Sequence, residues 1–199
     1  MRRRLAATVL ALLVAGAGAG CGNDSADSAA AITNPPLCPV GDGDAGNGVI
    51  LMAQSVPTAG WVPCLRSALP LGWNFHHLDA RDSGARFWLD SDRDGVQAVE
   101  VRLAESCDTS GATEIASDRE YMHRMERVHQ VTPTYAGERL YLFRGGCLSF
   151  VFRLDGDSPG EALALASQAV GVVSRTDLRE QVHTDSGGRI ELDPGRGDR

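Results

Sequence analysis

The chain has 199 residues, 43% of them hydrophobic, and a formal net charge of −7. That length and apolar content suit one domain with a packed core. All 19 basic residues are arginine, and they form no basic patch of the kind nucleic-acid binding needs, so no nucleic-acid partner is expected.

The N-terminus reads "MRRRLAATVLALLVAGAGAGCG". Arg2, Arg3 and Arg4 form a positive head, Leu5 to Ala15 an apolar run, and Gly16 to Gly20 a small-residue stretch. This is the pattern of a secretory signal peptide over residues 1–20. As a helix, Leu5 to Gly20 would reach only about 24 Å, short of the roughly 30 Å hydrocarbon core. Without this segment the chain keeps 16 arginines against 26 acidic residues, a net charge of −10. Such a surface repels anionic polymers and membranes.

The stretch "GAGC", Gly18 to Cys21, resembles the lipobox of bacterial lipoproteins. Gly18 stands where the box usually has a branched aliphatic residue. In that family a diacylglycerol is joined to the cysteine thiol and a peptidase cuts just before it. The resemblance implies lipid attachment at Cys21, with palmitate-type chains holding the protein at the extracytoplasmic face of the cell membrane. Two acyl chains anchor stably where one would be marginal. Residues 21–36, small, polar and ending in Pro35-Pro36, read as a flexible tether. A single domain is expected over 37–185, with a flexible tail over 186–199.

From Val49 to Leu71 the chain is apolar but interrupted by Pro57, Pro63 and Pro70. It reads as extended segments and turns, with one short strand at Val49–Gln54. Trp73–Leu78, Ala85–Leu89 and Val96–Ala104 follow as strands, the last two alternating apolar and polar residues. Between them lie Asp90, Asp92, Asp94 and Gly95. A helix-flanked calcium loop starting at Asp90 would need a bidentate Glu at its twelfth position. That position is Val101, and Glu100 is one place early. A one-residue slip on a strand turns the carboxylate to the other face, so these residues predict a solvated turn and no metal site.

Ser117–Gln130 fits two patterns. Ser117 and Glu120 could cap a helix carrying Met122, Met125 and Val128, or Tyr121, His123, Met125 and Arg127 could alternate on a strand. Strands on either side favour the strand. In "ERLYLFRGGCLSFVFRL" two apolar runs flank Gly145-Gly146, a hairpin signal. Pairing Arg144 with Cys147 would put Tyr141, Phe143, Leu148, Phe150 and Phe152 on one core face. Ser158 and Glu161 form a capping-box pattern with Pro159 at the first helical position. Leu163, Ala166, Val170 and Val173 then recur at helical spacing. Leu178 and Val182 extend the helical pattern.

Cysteines 38, 64, 107 and 147 remain after Cys21. An even number in an exported chain argues for two disulfides. Of the three possible pairings, Cys38–Cys64 and Cys107–Cys147 are preferred, each joining cysteines at the ends of apolar segments. No C-x-x-C pair points to a metal, and no cofactor is implied. His76 and His77 would point to opposite faces of a strand. His123 and His129, six apart, would share a face some 20 Å apart. Trp61, Trp73 and Trp88 are read first as core residues and second as the lining of a ligand groove.

The fold class is α+β: an antiparallel sheet with a C-terminal amphipathic helix packed on one face. The segments "YAGERLYLFRGGCLSFVF", "LDSDRDGVQAVEVRL" and "SCD" are similar to parts of actinobacterial envelope proteins with no activity attached to them. That resemblance implies location and fold. The expected function is a non-enzymatic envelope module that binds a protein or small ligand in an aromatic groove. The alternative is an envelope hydrolase, for which Asp79, Asp82 and His77 would converge in a cleft.

Overall fold

The computed structural model describes residues 30–39 and 45–193. The expected signal peptide, Cys21 and the end of the tail lie outside the described residues. In chain order the elements are β1 (Ala30–Ile32), α1 (Asn47–Ser55), β2 (Trp61–Leu65), β3 (Trp73–Arg81), β4 (Gly84–Ser91) and β5 (Gly95–Ala104). There follow β6 (Thr113–Ile115), β7 (His123–Gln130), β8 (Tyr135–Phe143), β9 (Gly146–Leu154), α2 (Pro159–Ala169), β10 (Val170–Ser174) and α3 (Arg175–Asp185). The fold is α+β and mostly β, with helices packed on the sheet.

Among the described residues, eight strands form one antiparallel sheet in the order β1-β3-β4-β5-β9-β8-β7-β6. Two meanders, β3–β4–β5 and β6–β7–β8–β9, meet along the β5–β9 ladder. Period-two alternation makes this possible: Phe87 faces Val101, Val101 faces Phe150, and Leu103 faces Leu148. These side chains form one buried row on one face. Helices α1, α2 and α3 add Met52, Ala53, Leu163, Leu178 and Val182 to the same core. Burying a side chain of this size is worth about 1.5–3 kcal/mol.

The hairpin forms with a different register. Phe143 pairs with Gly146 and Tyr141 with Leu148, so the turn is Arg144–Gly145 and not Gly145-Gly146. The shift is by two residues, which keeps every side chain on its face, and Tyr141, Leu148, Phe150 and Phe152 are buried as expected. Gly145 sits at φ +75°, and a Cβ there would lie 1.9 Å from the Thr58 carbonyl oxygen. Gly146 is instead a strand residue packed against Phe143 and Ala59. Close packing under the turn decides the register.

Three expectations are corrected. Val49–Gln54 is helical: Val49, Met52, Ala53 and Val56, at helical spacing, are all fully buried, and this period outweighs the β-branched Val49 and Ile50. Residues Val170–Ser174 leave the expected helix and pair with β2 as a separate two-stranded sheet. A stretch of three valines favours strand once a partner is present. Ser158 precedes α2 but makes no side-chain capping bond. Helix α3 does start on a capped serine, with Ser174 Oγ accepting from the Asp177 amide at 3.0 Å. Ser117–Gln130 resolves to strand from His123 onward.

The chain also joins the fold beyond the expected bounds. Ala30–Ile32 pairs with Leu78–Ala80, although it falls inside the stretch 21–36 read as a tether. Leu192, in the expected tail, is 1% exposed and packs in the core.

Two remote arginines finish two helices. Neither α1 nor α2 has a basic residue in its last turn. The buried Arg175 donates to the carbonyls of Ala53, Val56 and Ala59 at the end of α1. Arg119 donates to the carbonyls of Ser167 (3.1 Å) and Val170 (2.8 Å) at the end of α2. Each guanidinium satisfies carbonyls left open by the helix end and complements its dipole.

Candidate functional site

Both expected disulfides are present. Cys38–Cys64 has Cα atoms 4.8 Å apart and Cys107–Cys147 5.8 Å apart. Disulfides form and persist in oxidising compartments, which puts the folded domain outside the cytoplasm. Cys107–Cys147 pins the crossing segment 105–112 over the outer face of the sheet, where Arg127 donates to the Ser110 carbonyl. Cys38–Cys64 lies against Gly171, whose added Cβ would come within 2.7 Å of Cys38 Sγ.

Beside this second bridge lies a groove of about 730 Å³. Cys38, Pro39, Trp61, Arg66–Ala68, Asp118–Tyr121, Gly171 and Val172 line it. Trp61 opens β2, and Tyr121 lies just before β7, sixty residues later in the chain. Their rings stack with centroids 6.4 Å apart and planes 11° from parallel. Tyr121 has φ +61° and its residue surface is 80% exposed. An aromatic residue at positive φ is a real outlier, and such strain costs on the order of 1–3 kcal/mol. Burial does not repay it here.

The wall behind Tyr121 is tied to the core by hydrogen bonds. Tyr141, fully buried, donates its hydroxyl to Asp118 Oδ1 at 2.9 Å. Arg119 lies over the Tyr141 ring at 5.0 Å. Burial raises the Tyr141 phenol above its ordinary value, and the bond to Asp118 raises it further. Burial alone would raise the Asp118 carboxyl. The Tyr141 hydrogen bond and the charges of Arg119 and Arg124 outweigh it and hold Asp118 lower than usual. Behind them, Glu126 accepts from Arg124 (3.0 Å) and Arg139 (3.1 Å), and Arg139 donates to Ser167 Oγ on α2 (2.8 Å). Arg66, at the mouth, is exposed and makes no side-chain hydrogen bond or ion pair among the described residues.

The other residues singled out in the sequence go to separate places. Asp90 accepts from the Gln97 amide at 2.7 Å and meets His76 Nδ1 at 3.0 Å. Asp94 accepts from Ser91 Oγ (2.7 Å) and from the Gly156 amide (3.0 Å), tying the β4–β5 turn to the start of α2. Asp92 lines a cleft of about 470 Å³ with Trp73, Asp157 and Glu161. Asp94 borders the same cleft, while Asp90 does not line it and meets His76 instead. Among the described residues no three His, Cys, Asp or Glu side chains gather as a metal site, and no helix is long and apolar enough to cross a membrane.

His76 and His77 do not point to opposite faces. A bulge between Phe75 and Leu78 keeps both of those residues on the core side and turns both histidines outward. There His77 stacks on Trp88 at 4.2 Å, and the Arg86 guanidinium lies 5.1 Å from the centroid of the Trp88 ring. Asp79 and Asp82 share a shallow hollow of about 300 Å³ that His77 does not line. Asp79 accepts from Arg81 and Arg86, both at 3.1 Å. Burial would raise its carboxyl, but the two arginines outweigh it and hold it low. The trio Asp79, Asp82 and His77 therefore forms no common cleft. His123 and His129 are both exposed, and a bulge between Val128 and Gln130 breaks their register.

Of the three tryptophans, Trp73 is core, Trp88 sits on the outer sheet face and Trp61 borders the groove. The partner of Trp61, Tyr121, was not foreseen, because its positive φ takes it out of the strand alternation of residues 121–127. Comparison with known protein families, characterised proteins and solved structures finds no match.

Proposed function

We propose that this protein is an exported, lipid-anchored envelope module that binds a ligand in the Trp61–Tyr121 groove and performs no catalysis. One observation carries the reading: an exposed aromatic ring is held at positive φ against a second ring over an open groove. Backbone strain of this kind clusters at ligand contacts, and ligand sites are concave with aromatic walls and a few polar groups. The groove's shifted group, Asp118, and the buried Tyr141 behind it are both pushed away from neutrality-range acid–base work. That favours binding over the hydrolase alternative.

The oxidised cysteines support export, and the lipobox-like Gly18–Cys21 supports acylation at Cys21. Eight residues separate Cys21 from Ala30, the first paired residue among those described. Fully extended they span at most about 30 Å, so an acylated domain works close to the bilayer surface.

The test is tryptophan fluorescence during titration with fractionated cell-envelope extract, comparing the natural chain with Tyr121→Ala. A saturable change lost in the variant supports the groove. Identical responses from both proteins would remove it.

A further inference from the structure

We infer that the groove ligand is an uncharged saccharide, whose ring stacks on Tyr121 and Trp61. This rests on the groove being the binding site. The lining carries two cations, Arg66 and Arg119, and two carboxylates, Asp118 and Glu120. Their charges balance, so the groove selects for no net ligand charge. The guanidinium of Arg119 is already committed to the Ser167 and Val170 carbonyls. The expected working form carries a charge of −10, which disfavours anionic polymers further.

A lipid tail is a poor fit, because four charged side chains line the groove and burying them unpaired is costly. A saccharide matches what is present. Its ring has an apolar C–H face that packs on an aromatic plane, and its rim of hydroxyls both donates and accepts. Arg66 offers donors, and Glu120 and Asp118, whose carboxyl is held low, offer acceptors. Ser67, Ala68 and Gly171 are small lining residues.

Tyr121 carries the specificity. Offset-stacked rings with centroids several ångströms apart are ordinary neighbours, but packing on Trp61 alone does not require an exposed tyrosine at φ +61°. The position holds an exposed tyrosine ring nearly parallel to the indole at the groove.

The test is calorimetric titration of the folded, oxidised domain with three neutral oligosaccharides: a chitin hexamer, a maltose-type hexamer and a soluble arabinogalactan fragment. Saturable binding of at least one is expected. Loss of the Tyr121 ring should weaken it about tenfold, the equivalent of about 1.4 kcal/mol. Tyr121→Gly should weaken binding equally while raising Tm, because glycine accepts positive φ without cost. That pairing of lost binding with gained stability is not expected of a purely structural tyrosine. Raising salt from about 50 mM to about 500 mM should change affinity little.

Three results would overturn the inference. None of the three saccharides binds although envelope extract still gives a Tyr121-dependent signal, in which case the groove stands and its ligand is of another class. Binding falls steeply with salt, which marks an anionic ligand. Or saccharides bind equally well to Tyr121→Ala, which places them elsewhere.

Discussion

Tyr141 Oη donates to Asp118 Oδ1 at 2.9 Å. The bond joins the centre of the core to the lip of the groove. Tyr141 is fixed between Phe150 and Arg119, so its hydroxyl has little freedom. Asp118 in turn holds the segment that ends in Tyr121. The groove is therefore shaped by the packing of the sheet and not by its loop alone.

Tyr141→Phe keeps the ring and removes the bond. A loss of about 1 kcal/mol is expected, at the modest end for a bond to a half-exposed carboxylate. Ligand affinity should fall more than this stability loss suggests, because Tyr121 loses its support. Equilibrium urea unfolding measures the first and the groove titration the second. A variant as stable as the natural chain, with unchanged binding, would deny the bond any role.

The same pair sets a pH response. Asp118 and Asp79 have carboxyl values held below the ordinary value of about 3.9. Their contribution is complete above that ordinary value and is lost as pH falls through the lower folded-state values. Tyr141 has a raised phenol, so its contribution is complete below its ordinary value of about 10 and is lost as pH rises further. Thermal unfolding from acid to alkaline pH should show a broad plateau between these two limits. A Tm that falls steeply between pH 5 and 8 would contradict this assignment.

Arg175→Met tests the cap on α1. The substitution keeps the aliphatic stem but removes the side-chain donor to the carbonyls of Ala53 and Ala59 and one of two donors to Val56, whose carbonyl also accepts from the Ala59 amide at 3.1 Å. Each buried group left unpaired costs about 1–3 kcal/mol, so with two carbonyls orphaned a total loss of about 2 kcal/mol or more is expected in denaturant unfolding. A loss within 0.5 kcal/mol, the range of ordinary surface changes, would mean the carbonyls find other partners.

Much of the fold was legible from local patterns. Alternation located β4 and β5, β3 was read beside them over Trp73–Leu78, and the apolar runs around residues 144–146 located the central hairpin with the correct core face. Period two survives a two-residue slip, so the faces were readable while the register was not: register depended on Thr58 and Ala59, far away in sequence. Strand β10 was hidden for the same reason, since Val170–Ser174 needs β2 as its partner. The helix over Asn47–Ser55 was masked by β-branched residues and nearby prolines. The groove was the least legible feature. It needs Trp61 beside Tyr121, and nothing local to either residue announces the other. The bulge that turns His76 and His77 to one side had no glycine or proline to signal it.

Each disulfide should carry substantial stability. Replacing Cys107 and Cys147 by serine opens a bridge spanning 40 residues of sequence, and a loss of about 2–4 kcal/mol is expected. Gly171→Ala should damage the other bridge without touching a cysteine, since the new methyl would press on Cys38 Sγ. Denaturant unfolding with and without reductant reads both. A Gly171→Ala protein with unchanged stability would show that the Cys38–Cys64 region yields easily.

Mass spectrometry of the mature protein, isolated from the membrane fraction and alkylated with and without prior reduction, tests the central claim most directly. The account predicts a chain that begins at Cys21, carries diacylglycerol and further acyl mass there, and exposes Cys38, Cys64, Cys107 and Cys147 to alkylation only after reduction. A chain retaining residues 1–20, without lipid mass and with all five thiols alkylated at once, would contradict it.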